Sequence, residues 1–307
     1  MPISLALCSA DQQDVRVSEP PSPDVPGQAW RPEQELSAGE VPLFGGDVTD
    51  GIVRVGETVR RPQGPHSPLV HRVLRQLEIA NFSGAPRFLG VDDQGREVLT
   101  FIDGDVATRP WPEWVADLDR AISVAVLVRA LDDVMVAWGL PADGIVPELS
   151  PAGIPAAIGT GSTFIGHRDV TPENVVFREG RAVALIDFDL LKPSSRVDEV
   201  CNLLLWWAPL MPPQDREVVL RDQDAIARAA RLVDAYGLAQ HDRARVVDVA
   251  HNSADRTWFL MRARASRFGG GWQRMWDEGV GDRIIRRRDW LAENRDALHT
   301  AVMSAST

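Results

Sequence analysis

Two short polar segments, joined by a predicted hairpin, constrain the fold of this chain more than any other feature. The first is His167-Arg168-Asp169-Val-Thr-Pro-Glu-Asn174, and the second is Ala184-Leu-Ile-Asp187-Phe188-Asp189. An aspartate, a following asparagine and a second aspartate at the end of an apolar strand form a compact set of oxygen acceptors. Phosphoryl transfer from a nucleotide requires such a set.

The chemistry assigns a separate task to each acceptor. One carboxylate orients the attacking hydroxyl and accepts its proton, whereas a second carboxylate and an amide oxygen hold Mg²⁺ against the phosphates. Hard oxygen ligands of this kind suit Mg²⁺ rather than zinc. The structural alternative is that Asp169 and Asn174 are turn residues, because the side chains of both residue types form hydrogen bonds to the nearby backbone that favour turns.

Residues 40–102 have the pattern of a small antiparallel β unit with one helix. Short runs rich in β-branched residues and separated by glycine turns predict strands at 40–44, 52–55 and 58–62. Ser67-Pro68 opens a predicted helix over 67–80, and the strands 86–91 and 97–102 flank a hairpin loop. The predicted order is therefore βββαββ.

The chain beyond Asp103 is mostly helical in pattern. Residues 120–138 are apolar on nearly every face, as expected of a buried central helix, and short strands follow a loop over 140–161. We expect Pro212-Pro213 to start the next helix, and two more helices, 241–266 and 282–302, to flank the flexible segment 269–271. The fold class predicted for the whole chain is α+β, with a small antiparallel β lobe and a larger helical lobe.

The order of these features resembles a known family. The pattern H-x-D-x-x-x-x-N, followed after a hairpin by I-D-F-D, is similar to the aminoglycoside phosphotransferase and choline kinase group, whose fold is protein-kinase-like. The segments GGDVTDGIVRVGETVRRP and LLLWWAPLMPP resemble a bacterial branch described as trifolitoxin-immunity-like. Composition predicts that residues 1–35 form a proline-rich disordered tail. The resemblance implies a nucleotide-binding β lobe (36–102) and a catalytic, substrate-binding helical lobe (103–307).

The resemblance implies roles for the polar residues of the two segments. Asp169 matches the catalytic base, and Asn174 and Asp187 match the Mg²⁺ ligands. The supporting residues that it implies are His167, Asp189 and Asp198, of which His167 supports the loop and Asp198 caps the next helix.

The resemblance also implies a nucleotide site in the β lobe. Gly45 and Gly46 match the position of a phosphate loop, although a plain hairpin turn is an equal alternative. Phe101, Ile102 and Asp103 match the hinge that binds adenine, so the expected cofactors are ATP and Mg²⁺, with GTP left open.

The lysine that kinases use on the third strand is missing, since the chain has one lysine, Lys192. Arg60 or Arg61 must replace it, and the resemblance favours Arg60, from the spacing to the following proline in the family. The two side chains point in opposite directions along a strand, so only one can face the cleft. The helix 67–80 has no central glutamate, and His71 is its nearest polar candidate.

Composition limits the classes of partner. The net charge of −11 makes nucleic acid an improbable partner. The acidic excess is compatible with an acidic cleft for a cationic molecule or with a simple effect on solubility. The charge is unevenly distributed, because residues 241–307 carry a net +3. No apolar run is long enough to span a membrane, and no secretory leader is evident at the N-terminus. Two distant cysteines argue against a disulfide framework, so we expect a cytoplasmic protein.

The expected function is ATP- and Mg²⁺-dependent transfer of the γ-phosphoryl group to a hydroxyl of a small molecule. The acceptor would be of the aminoglycoside, antibiotic or metabolite type, and the sequence does not identify it. The alternative is a catalytically silent binding or immunity protein on the same fold, which the missing lysine and glutamate favour.

Overall fold

Five short strands near the N-terminus form one antiparallel sheet. The structure is a computed structural model, and it describes residues 39–43, 51–143, 145, 147–158 and 161–304. The strands are β1 (Glu40–Pro42), β2 (Val53–Val55), β3 (Thr58–Arg61), β4 (Phe88–Val91) and β5 (Glu97–Thr100). They lie in the order β1-β2-β3-β5-β4, so β3 pairs with β5 although a helix separates them in sequence. The predicted βββαββ order is confirmed.

Helix α1 (Ser67–Ile79) packs against this sheet. Pro68 stands in its first turn, where the missing N–H costs no hydrogen bond. Most of its apolar residues, including Leu69, Leu74 and Leu77, are almost fully buried, whereas Ile79 at its C-terminal end is exposed. They belong to the same continuous core as α2 (Leu118–Trp138), so the helix joins the sheet to the rest of the molecule.

Helix α2 is the buried central helix that the sequence predicts. The Asp117 side chain caps it by accepting a hydrogen bond from the Asp119 N–H at 2.8 Å. Gly139, with φ +79°, ends it in a conformation that favours glycine.

Short antiparallel strands cover one side of α2 and carry the polar loops. They are β6 (Asp105–Val106), β7 (Phe164–Gly166), β8 (Val175–Arg178), β9 (Arg181–Leu185) and β10 (Lys192–Ser194). β6, β8 and β9 form one sheet, whereas β7 pairs with β10. Phe164, Phe177 and Leu185 are fully buried, so the loops at the strand ends stand on a rigid base.

The remaining residues form seven helices among those the structure describes. They are α3 (Arg196–Trp207), α4 (Ala225–Tyr236), α5 (Gln240–Arg243), α6 (Val246–Phe268), α7 (Gly270–Asp277), α8 (Val280–Glu293) and α9 (Arg295–Met303). None of the described helices has both the length and the hydropathy needed to cross a bilayer. The α+β class, with an N-terminal β sheet and a mostly helical C-terminal portion, is confirmed.

Three predicted helix positions are wrong. Pro212 is extended and Pro213–Asp215 forms only a short 3₁₀ turn, so α4 begins at Ala225, where the Asp224 side chain caps two backbone N–H groups. The helix predicted over 241–266 is interrupted between α5 and α6, and that over 282–302 breaks at Asn294. Segment 269–271 is a boundary between two helices, since Gly269 ends α6 and Gly270 begins α7.

Some predictions fall outside the described residues. The tail 1–35 and the glycines Gly45 and Gly46 are among them. The boundaries assigned to the two lobes, 36–102 and 103–307, stay predictions.

Candidate active site

The loop after β7 holds Asp169 against Asn174. Nδ2 of Asn174 donates to Oδ2 of Asp169 at 2.8 Å and to the Asp169 carbonyl oxygen at 3.0 Å. Asn174 is buried and ends a 3₁₀ turn that leads directly into β8. Because its nitrogen faces Asp169, its Oδ1 accepts no hydrogen bond from the described residues. A carboxylate and an available amide oxygen therefore lie side by side.

Asp187 reaches the same place from the end of β9. The N–H of Ile186, its neighbour in the chain, donates to the Asn174 carbonyl oxygen at 2.9 Å. Asp187 has φ +59° and Arg168 has φ +63°, which are unusual values for residues other than glycine. Strain of this kind is retained where surrounding contacts enforce it, and it clusters at functional sites.

His167 ties the two loops together from beneath. Its Nε2 donates to the Ile186 carbonyl oxygen at 3.1 Å, and its Nδ1 accepts from the Asp169 N–H at 3.3 Å. Burial lowers the pKa of His167 to about 4, so the ring is neutral at physiological pH. A neutral ring with both nitrogens engaged suits a structural support better than a proton carrier.

Two carboxylates of the site, those of Asp169 and Asp189, have raised pKa values. Burial, and next the charge of Asp187, raises the pKa of Asp169 to about 7, against the hydrogen bond from Asn174. Burial also raises the pKa of Asp189, although the charge of Arg61 opposes it. Acidic groups crowded in this way attract a cation, because bringing one close relieves their mutual repulsion.

Arg61, and not Arg60, points toward these carboxylates. The Arg61 side chain is 8% exposed, and its Nη1 lies 3.4 Å from Oδ1 of Asp187. Its Nη2 forms an ion pair with Asp189. Burial works to lower the pKa of Arg61, but the charges of Asp189, Asp187 and Glu97 together raise it, so its positive charge is secure.

The prediction that Arg60 faces the cleft is wrong. Its Nη1 donates to Oγ1 of Thr58 at 2.6 Å, and its Nε lies 3.6 Å from Oδ2 of Asp92. The alternation of side chains along β3 explains the result, because the face of the sheet that turns inward carries the second arginine.

Glu97 holds Arg61 and was missed by the sequence analysis. Its Oε1 lies 2.9 Å from Nε of Arg61, and its Oε2 lies 2.6 Å from Nε2 of His71 on α1. Glu97 is 1% exposed, and burial raises its pKa despite the charges of Arg61 and His71. The sequence signal was a charged residue in an otherwise apolar strand, directly opposite Arg61 in the register of β3 and β5.

The segment predicted as the hinge lies at the edge of the cleft. Phe101 and Ile102 line it, whereas Asp103 does not. The Phe101 N–H donates to the Glu57 carbonyl oxygen at 2.9 Å, and the Asp103 carbonyl oxygen accepts from Nε of Arg178 at 2.7 Å. The Ile102 N–H has no hydrogen-bond partner in the described part of the chain, so it is available to a ligand.

Asp198 differs in detail from its expected role as a helix cap. Ser195 is the N-cap of α3, and its Oγ donates to Oδ2 of Asp198 at 2.6 Å. Asp198 lies in the first turn of α3, where a negative charge interacts favourably with the helix dipole.

A cleft of about 3740 Å³ separates the sheet from the helices and contains the site. This volume exceeds that of a typical small-ligand pocket, so the cleft has room for more than one ligand. Arg109 and Glu173, which the sequence analysis also missed, line it with an ion pair of 2.7 Å. No cluster of three His, Cys, Asp or Glu residues suited to a metal occurs among the described residues.

Comparison with known proteins identifies the family. Over 228 residues the chain is 31% identical to the trifolitoxin immunity protein of Rhizobium leguminosarum bv. trifolii, covering 71% of this chain and 83% of that protein. The chain belongs to the trifolitoxin immunity protein family. No protein-family model matches it.

Solved structures place this member of the trifolitoxin immunity protein family on a kinase-like fold. A choline/ethanolamine kinase family protein from Mesorhizobium loti superposes with a TM-score of 0.51 at 16% identity, covering 86% of this chain and 92% of that one. An ethanolamine kinase from Plasmodium vivax gives a TM-score of 0.51 at 11% identity, covering 81% and 80%. At these identities the likeness concerns the fold alone.

Proposed function

We propose that this protein is an ATP- and Mg²⁺-dependent phosphotransferase that moves the γ-phosphoryl group to a hydroxyl of a small molecule. The observation that carries the proposal is the position of Asn174. Its side-chain nitrogen holds the Asp169 carboxylate at 2.8 Å, while its carbonyl oxygen is bonded to the residue before Asp187. A base and two metal ligands are thereby gathered by one side chain and its backbone.

The residues present fit a Mg²⁺ ion. Oδ1 of Asn174 and the carboxylate of Asp187, whose side chain is 40% exposed, are hard oxygen donors that face the cleft. Mg²⁺ is commonly bound by one or two protein ligands together with substrate phosphates, so a third acidic ligand is not required. When bound, the ion neutralises charge on the β- and γ-phosphates.

The protein groups then divide the work. Asp169 orients the acceptor hydroxyl and takes its proton, and the N–H donors of Asn174 keep its carboxylate in place. Arg61 donates to phosphate oxygens with a planar fork that can bind two of them at once. Glu97 and His71 fix the direction of that fork from the sheet and from α1.

The nucleotide base would bind at the edge of the cleft. Among the described residues, the Ile102 N–H is a free donor at this edge, and Phe101 adds an apolar surface. The same donor serves adenine or guanine, so GTP remains a second possible nucleotide. Gly45 and Gly46 are proposed to cover the phosphates, and the cytoplasm, where ATP is available, is the proposed location.

A silent binding or immunity protein is the second candidate, and a specific contact favours it. The guanidinium of Arg61 already pairs with Asp187, the carboxylate that a metal would use, and with the neighbouring Asp189. The related protein from Rhizobium is named for immunity and not for catalysis. In this alternative, the cleft binds a small molecule or peptide without catalysing a reaction.

Two measurements separate these candidates. Mg·ATP should raise the melting temperature, because a ligand that binds only the folded state stabilises it. An ATP-consumption screen over aminoglycosides, macrolides, amino alcohols and sugars should then show turnover that Asp169→Asn abolishes while retaining the thermal shift. Absence of any shift with ATP or GTP would favour the silent protein.

A further inference from the structure

Most of the acidic residues that line the cleft outside the phosphoryl-transfer site are already paired. Glu148 lies 2.9 Å from Nζ of Lys192 and 2.7 Å from Nη2 of Arg256. Glu173 and Glu217 both pair with Arg109, at 2.7 and 3.4 Å. These pairs leave little free negative charge to bind a cationic acceptor.

Several arginines of the cleft lack such a partner. Arg287 on α8 is 7% exposed and lines the cleft, and no carboxylate of the described residues lies within ion-pair distance of it. Its Nε makes no hydrogen bond in the described structure. Burial lowers the pKa of Arg287 to about 10, which still leaves it charged at neutral pH. An unpaired buried cation is costly, so its retention calls for a partner.

Arg168 and Arg264 line the same cleft as Arg287. Nε and Nη1 of Arg168 are buried without hydrogen bonds, and its nearest carboxylate oxygens, on Glu199 and Asp198, are 3.8 and 3.9 Å away. Arg264 stacks on Trp272 at 4.7 Å and has no carboxylate within ion-pair distance in the described part of the chain.

Electrostatic coupling connects these cations to one another and to the site. Lys192 has a lowered pKa because of burial and the charges of Arg168 and Arg264. Burial raises the pKa of Cys201 to about 12, against the charges of Arg168 and Arg287. The charge of Asp169 acts on Arg264, so the group extends to the proposed base.

We propose that the acceptor carries an oxyanion, a carboxylate or a phosphate, that binds to Arg264 and Arg287 in the helical wall of the cleft. The inference rests on the proposed function and specifies that the acceptor substrate of that reaction is negatively charged. An oxyanion matches the planar fork of a guanidinium group and satisfies donors that the protein leaves unpaired. The acidic cleft for a cationic molecule, left open by the net charge, does not fit this wall.

The first test measures anion binding without chemistry. Sodium sulfate should raise the melting temperature of the wild type more than sodium chloride of equal ionic strength. Arg287→Met and Arg264→Met should each lose that response. The exposed Arg231→Met on α4 is the matched control and should keep it. Without sulfate, Arg287→Met should melt no lower than the wild type, because it removes an unpaired buried charge.

Two outcomes would overturn the site. A sulfate response that survives in both cleft variants would locate the ion elsewhere, including at the nucleotide phosphates. A large fall in the melting temperature of Arg287→Met, with the sulfate response retained by Arg264→Met, would make Arg287 a structural residue. Saturating Mg·ATP should leave the sulfate response intact. Failure to bind Mg·ATP would therefore remove the proposed function while the anion site stands.

The second test identifies the acceptor class by turnover. Matched pairs, sugar phosphates against their parent sugars and hydroxycarboxylates against their amides, distinguish phosphate from carboxylate. The anionic member should be preferred by about tenfold or more in kcat/KM, the value of one charge-assisted hydrogen bond, and Arg287→Met should erase the preference. Preference for neutral or cationic acceptors would overturn the inference.

Discussion

Nε of Arg61 lies 2.9 Å from Oε1 of Glu97, its direct opposite in the register of β3 and β5. In protein kinases the corresponding glutamate stands on a helix. Here the carboxylate comes from a strand, and the helix contributes His71 at 2.6 Å behind it. The cation is therefore oriented by the sheet itself, whose strand pairing fixes the distance between the two side chains.

The first prediction concerns the two arginines of β3. Arg61→Ala should weaken Mg·ATP binding by about tenfold or more, because it removes a charge-assisted contact to phosphate. Arg60→Ala is the matched control and should change little, since Arg60 contacts Thr58 and Asp92 instead. Titration calorimetry measures the Mg·ATP affinity of both variants. Arg61→Lys should recover only part of the lost affinity, because an ammonium lacks the planar fork of a guanidinium. Greater loss in the Arg60 variant would reverse the assignment.

The second prediction concerns stability. Arg61→Ala leaves Glu97, which is 1% exposed, without its cation. Breaking one side of a buried ion pair costs about 3–5 kcal/mol in the free energy of unfolding. Adding Glu97→Gln to this variant should recover part of the lost free energy of unfolding, because the glutamine side chain that remains buried is neutral. Urea unfolding of the two single variants and the double variant gives the coupling, and simple additivity would contradict it.

A third prediction separates the two aspartates of the site. Asp169→Ala should lower turnover by about 10²–10⁴-fold, the usual contribution of a positioned base, and nearly preserve nucleotide binding. Asp187→Ala should also abolish the Mg²⁺-dependent part of nucleotide binding. Calorimetry with ATP, with and without Mg²⁺, makes the comparison. If both variants lose the same ATP affinity, this division of roles is refuted.

The fourth prediction concerns Asp132, a buried residue of α2. It is 0% exposed, and its Oδ2 accepts from the Tyr236 hydroxyl at 2.6 Å. Burial first, and then the charge of Glu199, raises its pKa well above the ordinary value. The folded protein thus keeps a proton that the unfolded chain releases, so stability falls as pH rises from about 4 toward the folded pKa.

Asp132→Asn mimics the protonated form of this group. We expect it to melt higher than the wild type at pH 8 and to show a smaller decline between pH 5 and pH 8. Asp222→Asn, at an exposed position, should leave the decline unchanged. Parallel melting curves of Asp132→Asn and the wild type across this range would show that Asp132 does not titrate there.

The sequence predicted those features that depend on local pattern. Alternating β-branched runs located the strands of residues 40–102. Asp169, Asn174 and Asp187 were selected from their spacing together with the resemblance to a known family. The choice between Arg60 and Arg61 failed because it depends on which face of β3 turns inward. That face is set by packing and by pairing with β5, a strand distant in sequence.

The sequence also did not predict which arginines form the helical wall of the cleft. Arg264 and Arg287 lie on different helices among many exposed arginines, and only tertiary packing distinguishes those that face the cleft. The same holds for Glu97, whose importance comes from neighbours on β3 and α1. His71 was recognisable as a polar residue in the middle of an apolar helix, but its partner was not.

If the proposed function holds, the contacts of Arg61 with Asp187 and Asp189 would make the binding of nucleotide and the binding of a divalent ion interdependent. An ion at Asp187 has to share its carboxylate with a guanidinium 3.4 Å away, and a polyphosphate that draws the guanidinium toward itself removes that competition. Each ligand should therefore increase the affinity for the other, by the same factor in both directions. Free Mg²⁺ alone should bind weakly, and the protein would respond to the complex of metal and nucleotide as a single signal.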